Sequence, residues 1–253
     1  MSRSHTAVAF AEPLPADLAT AQVAQLARQH PGTIRVFQRH RIDFCCGGKR
    51  RVTEAAERAG LDAARLVTEL TLAMGDAAGS GLEHLPDSPG DLGKWIVSRY
   101  HVALRGELPR LVQMADRVET VHGAEMPEIL PPLAAHVRAL AAELFDHMRE
   151  EEEALFPAIE RVERAAEGGE AAAEGDLAAL VAAREDEHEA AGEHLRALRE
   201  LAADFTPPEW ACNTFRGLYH GLGELERELH EHIHVENNVL FPRALALAGA
   251  CPA

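Results

Sequence analysis

Apolar residues recur every three or four positions along four long segments in the second part of the chain. This spacing is typical of amphipathic helices, each of which turns one apolar stripe toward a common core. The stripes predict helices near residues 91–122, 128–164, 176–203 and 208–247. The glycine- and proline-rich separators between them are short, and short connections make neighbouring helices antiparallel. The pattern therefore predicts an all-α fold with an up-down-up-down four-helix bundle over residues 91–247.

The first part of the chain carries only short helical patterns. They are interrupted at His30-Pro31-Gly32 and at Cys45-Cys46-Gly47-Gly48. Residues 13–75 are accordingly predicted to form a small helical accessory domain with a Cys-Cys motif. Residues 76–90 contain a Gly-Ser-Gly sequence and two prolines, a composition that predicts a linker.

Histidines and glutamates interrupt the apolar stripes of the predicted bundle. His147 and Glu151 are four residues apart, as are His232 and Glu236, and each pair leads into the same Leu-Phe-Pro sequence. Side chains at positions i and i+4 share one helix face. Both pairs therefore continue a stripe that points toward the core.

The first and third predicted helices also place a histidine on the apolar stripe. These are His101 and His188, and a lone core histidine is more often a packing residue than a ligand. A buried glutamate is different, because an unpaired carboxylate in a core costs several kcal/mol. Two such glutamates, each one turn from a histidine, require a cation. The predicted metal ligands are His101, His147, Glu151, His188, His232 and Glu236.

His122 lies on the same stripe as His101 but is left out of this set. A separation of 21 residues corresponds to about 31 Å along a continuous helix, because each residue adds about 1.5 Å. Pro109, between them, is expected to kink or shorten the helix. His122 is therefore predicted to be a structural or supporting residue near the helix end.

Four histidines and two glutamates are too many for a closed tetrahedral zinc site. They suit two metal ions, each bound by two imidazoles and both spanned by the two carboxylates. This arrangement leaves positions for an oxo or hydroxo bridge and for an exogenous ligand. Two iron ions are the expected cofactor, with manganese or a mixed pair as the alternative.

Two further glutamates lie close to the predicted ligands in sequence. Glu143 is one turn before His147, and Glu187 is beside His188. They are candidates to support the ligands or to pass an ion outward. Solvated surface acids are an equally good interpretation in so acidic a protein.

The composition of the chain indicates which kinds of partner it can bind and in which cellular compartment it is expected. A formal charge of −16 argues against nucleic-acid binding, which needs a basic surface. No apolar run reaches membrane-spanning length, and the first residues lack the apolar core of a signal peptide. Four cysteines, two of them adjacent, do not resemble a disulfide framework. A cytoplasmic protein without a membrane partner is expected.

The ordered set of motifs resembles the Ric-type iron-sulfur cluster repair di-iron proteins, a branch of the hemerythrin-like bundles. The accessory domain is matched by Pro31-Gly32-Thr33 and by the segment Asp43–Lys49, which contains the two cysteines. In the bundle the resemblance is carried by His101, His122, His147-x3-Glu151, the segment Asp186–Gly192 and the segment His232–Leu245.

The resemblance implies a cytoplasmic non-haem di-iron protein that helps to restore iron-sulfur clusters damaged by nitric oxide or oxidants. In that family the carboxylates matching Glu151 and Glu236 bridge the irons, and the histidines matching the other four predicted ligands complete the coordination. Damaged iron-sulfur proteins and nitric oxide or another small diatomic are the implied partners. A homodimer is left open.

Cys45 and Cys46 are the other reactive feature of the sequence. Two glycines follow them, which predicts an exposed, flexible turn, and the three basic residues at 49–51 favour the thiolate form. The pair is predicted to bind metal, accept nitric oxide or cycle through oxidation. The alternative is a buried free cysteine, which is common. Cys212 and Cys251 lack this context and are interpreted as packing or incidental residues.

Three functional classes are compatible with such a site. The first is metal delivery for cluster repair, and the second is an oxidoreductase acting on nitric oxide or peroxide, so enzymatic activity is left open. The third is a hemerythrin-like oxygen carrier or sensor. Carriers of that class have an extra histidine four residues from the third-helix ligand, whereas Arg184 and Gly192 occupy those positions here. This departure argues against the carrier.

Overall fold

The structure is a computed structural model that describes residues 14–15, 17–74, 82, 84–168 and 174–250. Regular structure in these residues is helical and includes no strand, which confirms the predicted all-α class. The chain divides into two compact units, with the division between Leu85 and Pro86. The predicted start without a signal peptide and about half of the predicted linker (residues 76–81 and 83) lie outside the described residues, and the predicted domain limits stay predictions. No described helix is both long and apolar enough to cross a bilayer.

The described residues of the first unit form four short α-helices: α1 (Val23–Gln29), α2 (Ile34–Arg39), α3 (Val52–Arg58) and α4 (Ala63–Met74). Pro31 starts a short 3₁₀ turn between α1 and α2, where its fixed φ and missing N–H suit a first helical position. Gly48 packs directly on α1, since a Cβ at this position would lie 2.5 Å from the Cβ of Ala24. The turn that carries the two cysteines is thereby held against the first helix.

In the second unit, residues 86–168 and 174–250 are described and form four long helices, three of which include one short segment of π-helix. In chain order they are α5 (Pro89–Ile96), a π segment (Val97–His101) and α6 (Val102–His122); α7 (Leu130–Glu150), a π segment (Glu151–Leu155) and α8 (Phe156–Ala166); α9 (Glu174–Leu201); and α10 (Asn213–Val235), a π segment (Glu236–Leu240) and α11 (Phe241–Ala250). The predicted four-helix bundle preceded by a helical region is confirmed.

The predicted apolar stripes form the core of the bundle. Helix α6 packs on α7 and α10, and α9 packs on the same two helices. The end of α6 meets the start of α10, where His122 contacts Cys212, so these two helices are antiparallel. Helix α6 continues through Pro109, so the predicted shortening at this proline is wrong. Burial of the neighbouring Leu108 and Leu111 against the core offsets the proline's cost of about 3 kcal/mol.

Each π segment includes one of the predicted metal ligands. His101 ends the first segment, and Glu151 and Glu236 begin the other two. A π turn accommodates one extra residue in a helix, so it changes which side chains face the core on either side of it. Such turns occur often at functional sites, and here they fall where three helices must point polar groups inward.

Candidate metal centre

The six predicted ligands converge inside the second unit. The first, second and fourth long helices supply them at or beside their π segments, and α9 supplies His188. The side chains of His101, Glu151 and Glu236 are completely buried, and the other three are almost so. Charged and imidazole groups at this depth are uncommon unless they are paired or bind a metal.

The six side chains form two groups that share both carboxylates. One group contains His101 and His232, the other contains His147 and His188, and Glu151 and Glu236 belong to both. Within each group one ligand atom from every residue lies within 4.8 Å of the others. This is the arrangement that two ions spanned by two carboxylates need.

Short distances between imidazole Nε2 and carboxylate oxygen atoms define the centre of the site. Nε2 of His232 is 2.8 Å from Glu236 Oε1, and Nε2 of His188 is 3.1 Å from Glu236 Oε2. On the other side, Glu151 Oε2 is 3.3 Å from Nε2 of His101 and 3.4 Å from Nε2 of His147. All four histidines therefore direct the same ring nitrogen inward.

Several buried atoms at this centre lack a hydrogen bond. They are His101 Nε2, both carboxylate oxygens of Glu151 and Oε2 of Glu236. An unsatisfied buried carboxylate costs several kcal/mol, and a cation bound between the carboxylates and imidazoles would remove that cost. The buried histidines and glutamates therefore suit a metal centre.

Outer hydrogen bonds fix the orientation of three of the four imidazoles. Nδ1 of His101 lies 2.7 Å from a Glu152 carboxylate oxygen, and Nδ1 of His147 lies 2.7 Å from Glu187. Nδ1 of His188 lies 2.8 Å from Oδ1 of Asn237. Because these oxygens accept, Nδ1 donates and the Nε2 lone pair is left available to a metal.

Arginines hold two of these outer carboxylates. Arg105 donates to Glu152 at 2.7 Å, and buried Arg184 donates to both Glu150 and Glu187 at 2.6 Å. Arg184 thus occupies a position where an oxygen carrier would have a histidine, and its charge fixes the carboxylate that orients His147. This contact gives the argument against the carrier a structural basis.

His232 has a different environment from the other three histidines. Its Nδ1 is buried without a hydrogen-bond partner, and the ring of Tyr100 stacks on it at 4.7 Å. The Tyr100 hydroxyl is also buried without a partner, and burial raises its pKa. Stacking on Tyr100 therefore takes the place of an outer hydrogen bond at Nδ1 in orienting this imidazole.

Burial and the carboxylates act in opposite directions on the imidazoles. Burial alone would lower the pKa of His188, but the adjacent Glu236 raises it to about 9. At His232 burial dominates and lowers the pKa. Burial would raise the pKa of the Glu236 carboxyl, yet His232 and His188 hold it well below its usual range. Protons and metal ions therefore compete for this site, and metal binding must release protons.

A cavity of about 110 Å³ borders the site between α7, α9 and α10. Its lining includes three of the predicted ligands, His147, His188 and His232, together with the carboxylates of Glu143 and Glu187. The cavity is large enough for a small diatomic molecule or several waters. It brings both sequence-predicted supporting carboxylates to one side of the centre.

Comparison with known proteins agrees with this geometry. The Hemerythrin HHE cation binding domain matches residues 93–244, and a domain of unknown function (DUF542) matches residues 19–74. The "Iron-sulfur cluster repair protein YtfE" of Yersinia pseudotuberculosis serotype IB (strain PB1/+) is 41% identical over 237 residues, 90% of this chain and 98% of the relative. The chain belongs to the YtfE family of iron-sulfur cluster repair proteins. The proteins of the same name from Yersinia pestis and from Y. pseudotuberculosis serotype O:1b (strain IP 31758) are 41% and 40% identical over the same coverage.

Membership of the YtfE family confirms the resemblance drawn from the sequence motifs. All six predicted ligands fall within the part of the chain that matches the cation-binding domain. The Cys-Cys motif falls within the part that matches the amino-terminal domain. Both matched segments therefore contain candidate functional residues predicted from the sequence.

The structure corrects the expected state of the cysteine pair. Cys45 is buried and Cys46 is half-buried, so the prediction of an exposed turn is wrong for Cys45. The hydrogen bond with Cys46 and burial hold the pKa of Cys45 well above its usual value, which opposes the predicted thiolate. The Asp43 carboxylate accepts the backbone N–H groups of Cys45, Cys46 and Gly47, so the turn is also well ordered by hydrogen bonds. Packing of Gly48 on α1 is the physical reason for the burial.

Sequence reasoning missed three residues around the centre. Glu152 and Asn237 each follow a predicted ligand directly, and Tyr100 directly precedes one, but adjacent residues on an ordinary helix point in different directions. The π segments alter that relation, and no sequence signal marks them. Glu187 is a candidate from sequence because it is beside His188, yet its carboxylate contacts His147 on the neighbouring helix. The other selected acid, Glu143, contacts His194.

Proposed function

We propose that His101, His147, Glu151, His188, His232 and Glu236 hold two iron ions, with both carboxylates shared. The two groups of four donors, which overlap only at the glutamates, carry this proposal. Nitrogen and oxygen donors suit iron, manganese or zinc, and the cluster repair named for the relatives favours iron. When bound, the iron would supply open coordination positions for a small exogenous ligand.

We infer that the protein repairs iron-sulfur clusters damaged by nitric oxide or oxidants, and that it does so by donating iron in the cytoplasm. The observation that carries this function is a buried site of imidazoles and carboxylates, without thiolates, in a chain of the YtfE family. Protons compete with a metal ion for these donors, so protonation of the site would favour the release of iron held there. Damaged iron-sulfur proteins are the recipients.

The cavity is the proposed route for iron between the centre and the surface. Glu143 and Glu187 line it, and their side chains are 53% and 40% exposed. Carboxylates at this boundary could bind a leaving cation while water replaces its inner protein ligands. Glu187 also contacts His147, one of the proposed ligands. Movement of the Glu187 side chain would therefore affect both the ligand and the cavity.

The alternative function is reduction of nitric oxide or peroxide at the same centre. The observation that favours it is the same cavity, which gives a small molecule access to His147, His188 and His232. Both functions need the two metal ions, but only donation consumes them. The fate of the iron therefore distinguishes the two.

We expect metal-loaded protein to restore the activity of a cluster enzyme inactivated by nitric oxide, and metal-free protein with the same reductant to leave it inactive. The loaded protein would carry isotopically labelled iron, and the measurement is recipient activity together with label in the recipient. Activity should rise in proportion to the label transferred. Recovery without label, accompanied by catalytic consumption of nitric oxide, would replace donation by the oxidoreductase function.

The cysteine pair is proposed to act in transfer rather than in binding the two irons. Asp43, Cys45 and Cys46 together offer a second small group of donor atoms in the first unit. Replacement of both cysteines by serine should leave the iron content of the bundle unchanged and slow repair several-fold. Iron content and repair rate are measured on the same preparation. Loss of iron would place the thiols in the metal site, and an unchanged repair rate would make the pair structural.

A further inference from the structure

A chain of three side chains lies at the end of α6, remote from the proposed iron site. Nε2 of His122 is 3.4 Å from Sγ of Cys212, and its Nδ1 is 3.0 Å from a carboxylate oxygen of Glu125. His122 is about 31 Å along the helix from His101, given a rise of about 1.5 Å per residue. The order thiol, imidazole, carboxylate is that of an activated nucleophile, in which the acid orients the base.

The backbone adds a second source of activation. Cys212 is the residue that precedes the first turn of α10, which places its sulfur beside the backbone N–H groups of Thr214 and Phe215, although the side chain makes no cap hydrogen bond. A helix N-terminus stabilises negative charge on such a residue. These N–H groups, followed by His122, lower the pKa of the Cys212 thiol, and the thiol in turn raises the pKa of His122.

Access to this sulfur is open, in contrast with Cys45. Cys212 is an exposed residue. Trp210, which is 52% exposed, packs its ring 5.4 Å from the His122 ring and 5.9 Å from Phe215, so an apolar aromatic surface lies beside the thiol. His122 and Glu125 bring charged groups close to Cys212, and the guanidinium of Arg216 binds the carbonyl of the preceding residue, Ala211, at 3.1 Å. This surface suits a small, uncharged organic group attached to sulfur.

We propose that Cys212 is a reactive thiolate that exchanges with small-molecule disulfides and becomes reversibly thiolated. The thiolate attacks one sulfur of the disulfide R–S–S–R, so the bond between Cys212 Sγ and S–R forms as the original S–S bond breaks. The released thiolate takes a proton from the His122 imidazolium and leaves as R–SH. The small disulfide is the oxidant, and a free thiol reverses the reaction. The exposure of Cys212 argues against a packing residue, which was one of the two interpretations given for it, the other being an incidental residue.

The test uses full-length, iron-loaded protein in which Cys45, Cys46 and Cys251 are replaced by serine, so that Cys212 is the sole thiol. The neutral probe dithiodipyridine is added, and the second-order rate constant is measured from about pH 5 to pH 9. This range covers the pKa values of both an activated and an ordinary thiol. The reaction should remain fast well below neutral pH. Additional replacement of His122 by alanine should slow it about tenfold near pH 5.5, since a larger thiolate fraction outweighs the lower nucleophilicity of an acidic thiol.

Matched variants separate activation from folding. His220→Ala removes an exposed histidine from the same helix, α10, and should leave the rate unchanged. Glu125→Gln should give an intermediate rate, and His122→Ala should keep both irons because it lies far from the centre. The proposal is overturned if the rate follows the pH profile of a free thiol such as glutathione. It is equally overturned if His122→Ala and Glu125→Gln, with unchanged helical content, both react as fast as the unsubstituted sole-thiol protein.

Discussion

Replacement of both Glu151 and Glu236 by alanine should remove essentially all of the iron from the protein. Each carboxylate belongs to both donor groups, so each half of the centre would keep only two imidazoles. Two neutral histidines are too few to hold iron at protein concentrations used for purification, and the negative charge that offsets the two cations would be gone. The measurement is iron per chain after loading and removal of unbound metal.

Glu153→Ala is the matched control for this prediction. Glu153 lies in the same π segment as Glu151, but its side chain is exposed and it belongs to neither donor group. The Glu153→Ala protein should retain its full iron content. Helical content should be the same in this variant and in the double variant. Retention of two irons by the double variant would show that the carboxylates are not the shared ligands.

Removal of the metal should lower the melting temperature of the protein by about 8–16 °C. A ligand present at about 1,000 times its dissociation constant stabilises the folded state by about 4 kcal/mol. In a domain of this size each kcal/mol corresponds to roughly 2–4 °C. The shift arises because the apo core contains two buried carboxylates whose oxygens are not all satisfied. Calorimetry of loaded and chelator-treated protein gives the difference.

The Glu151→Ala, Glu236→Ala variant provides the reference for that measurement. Because it lacks the centre, a chelator should not change its melting temperature. Equal melting temperatures for loaded and chelator-treated wild-type protein would mean that the metal does not bind within the folded core. A shift of the same size in the variant would place the stabilising metal elsewhere in the protein.

The long helices and the convergence of six residues were predictable because both depend on helical periodicity. His147 with Glu151, and His232 with Glu236, lie on stripes whose remaining members are apolar, so the core position of each pair follows from spacing alone. The antiparallel arrangement follows from the short connections. These features are local in sequence, and tertiary packing only brings them together.

The features that could not be predicted depend on packing between distant segments. The burial of Cys45 results from the approach of Gly48 to α1, and the partner of His147 is on another helix, 40 residues away. The π segments change hydrogen-bond register without a distinctive residue pattern. The contact of Cys212 with His122 joins residues 90 positions apart, so neither residue carries a sequence signal for the other.

A shared two-iron centre is best tested by metal analysis combined with Mössbauer spectroscopy on full-length protein produced in cells given isotope-enriched iron and purified without added metal. We expect two irons per chain, both in nitrogen and oxygen coordination and magnetically coupled to each other. One magnetically isolated iron per chain, or zinc as the main metal, would contradict a shared two-iron centre formed by Glu151 and Glu236.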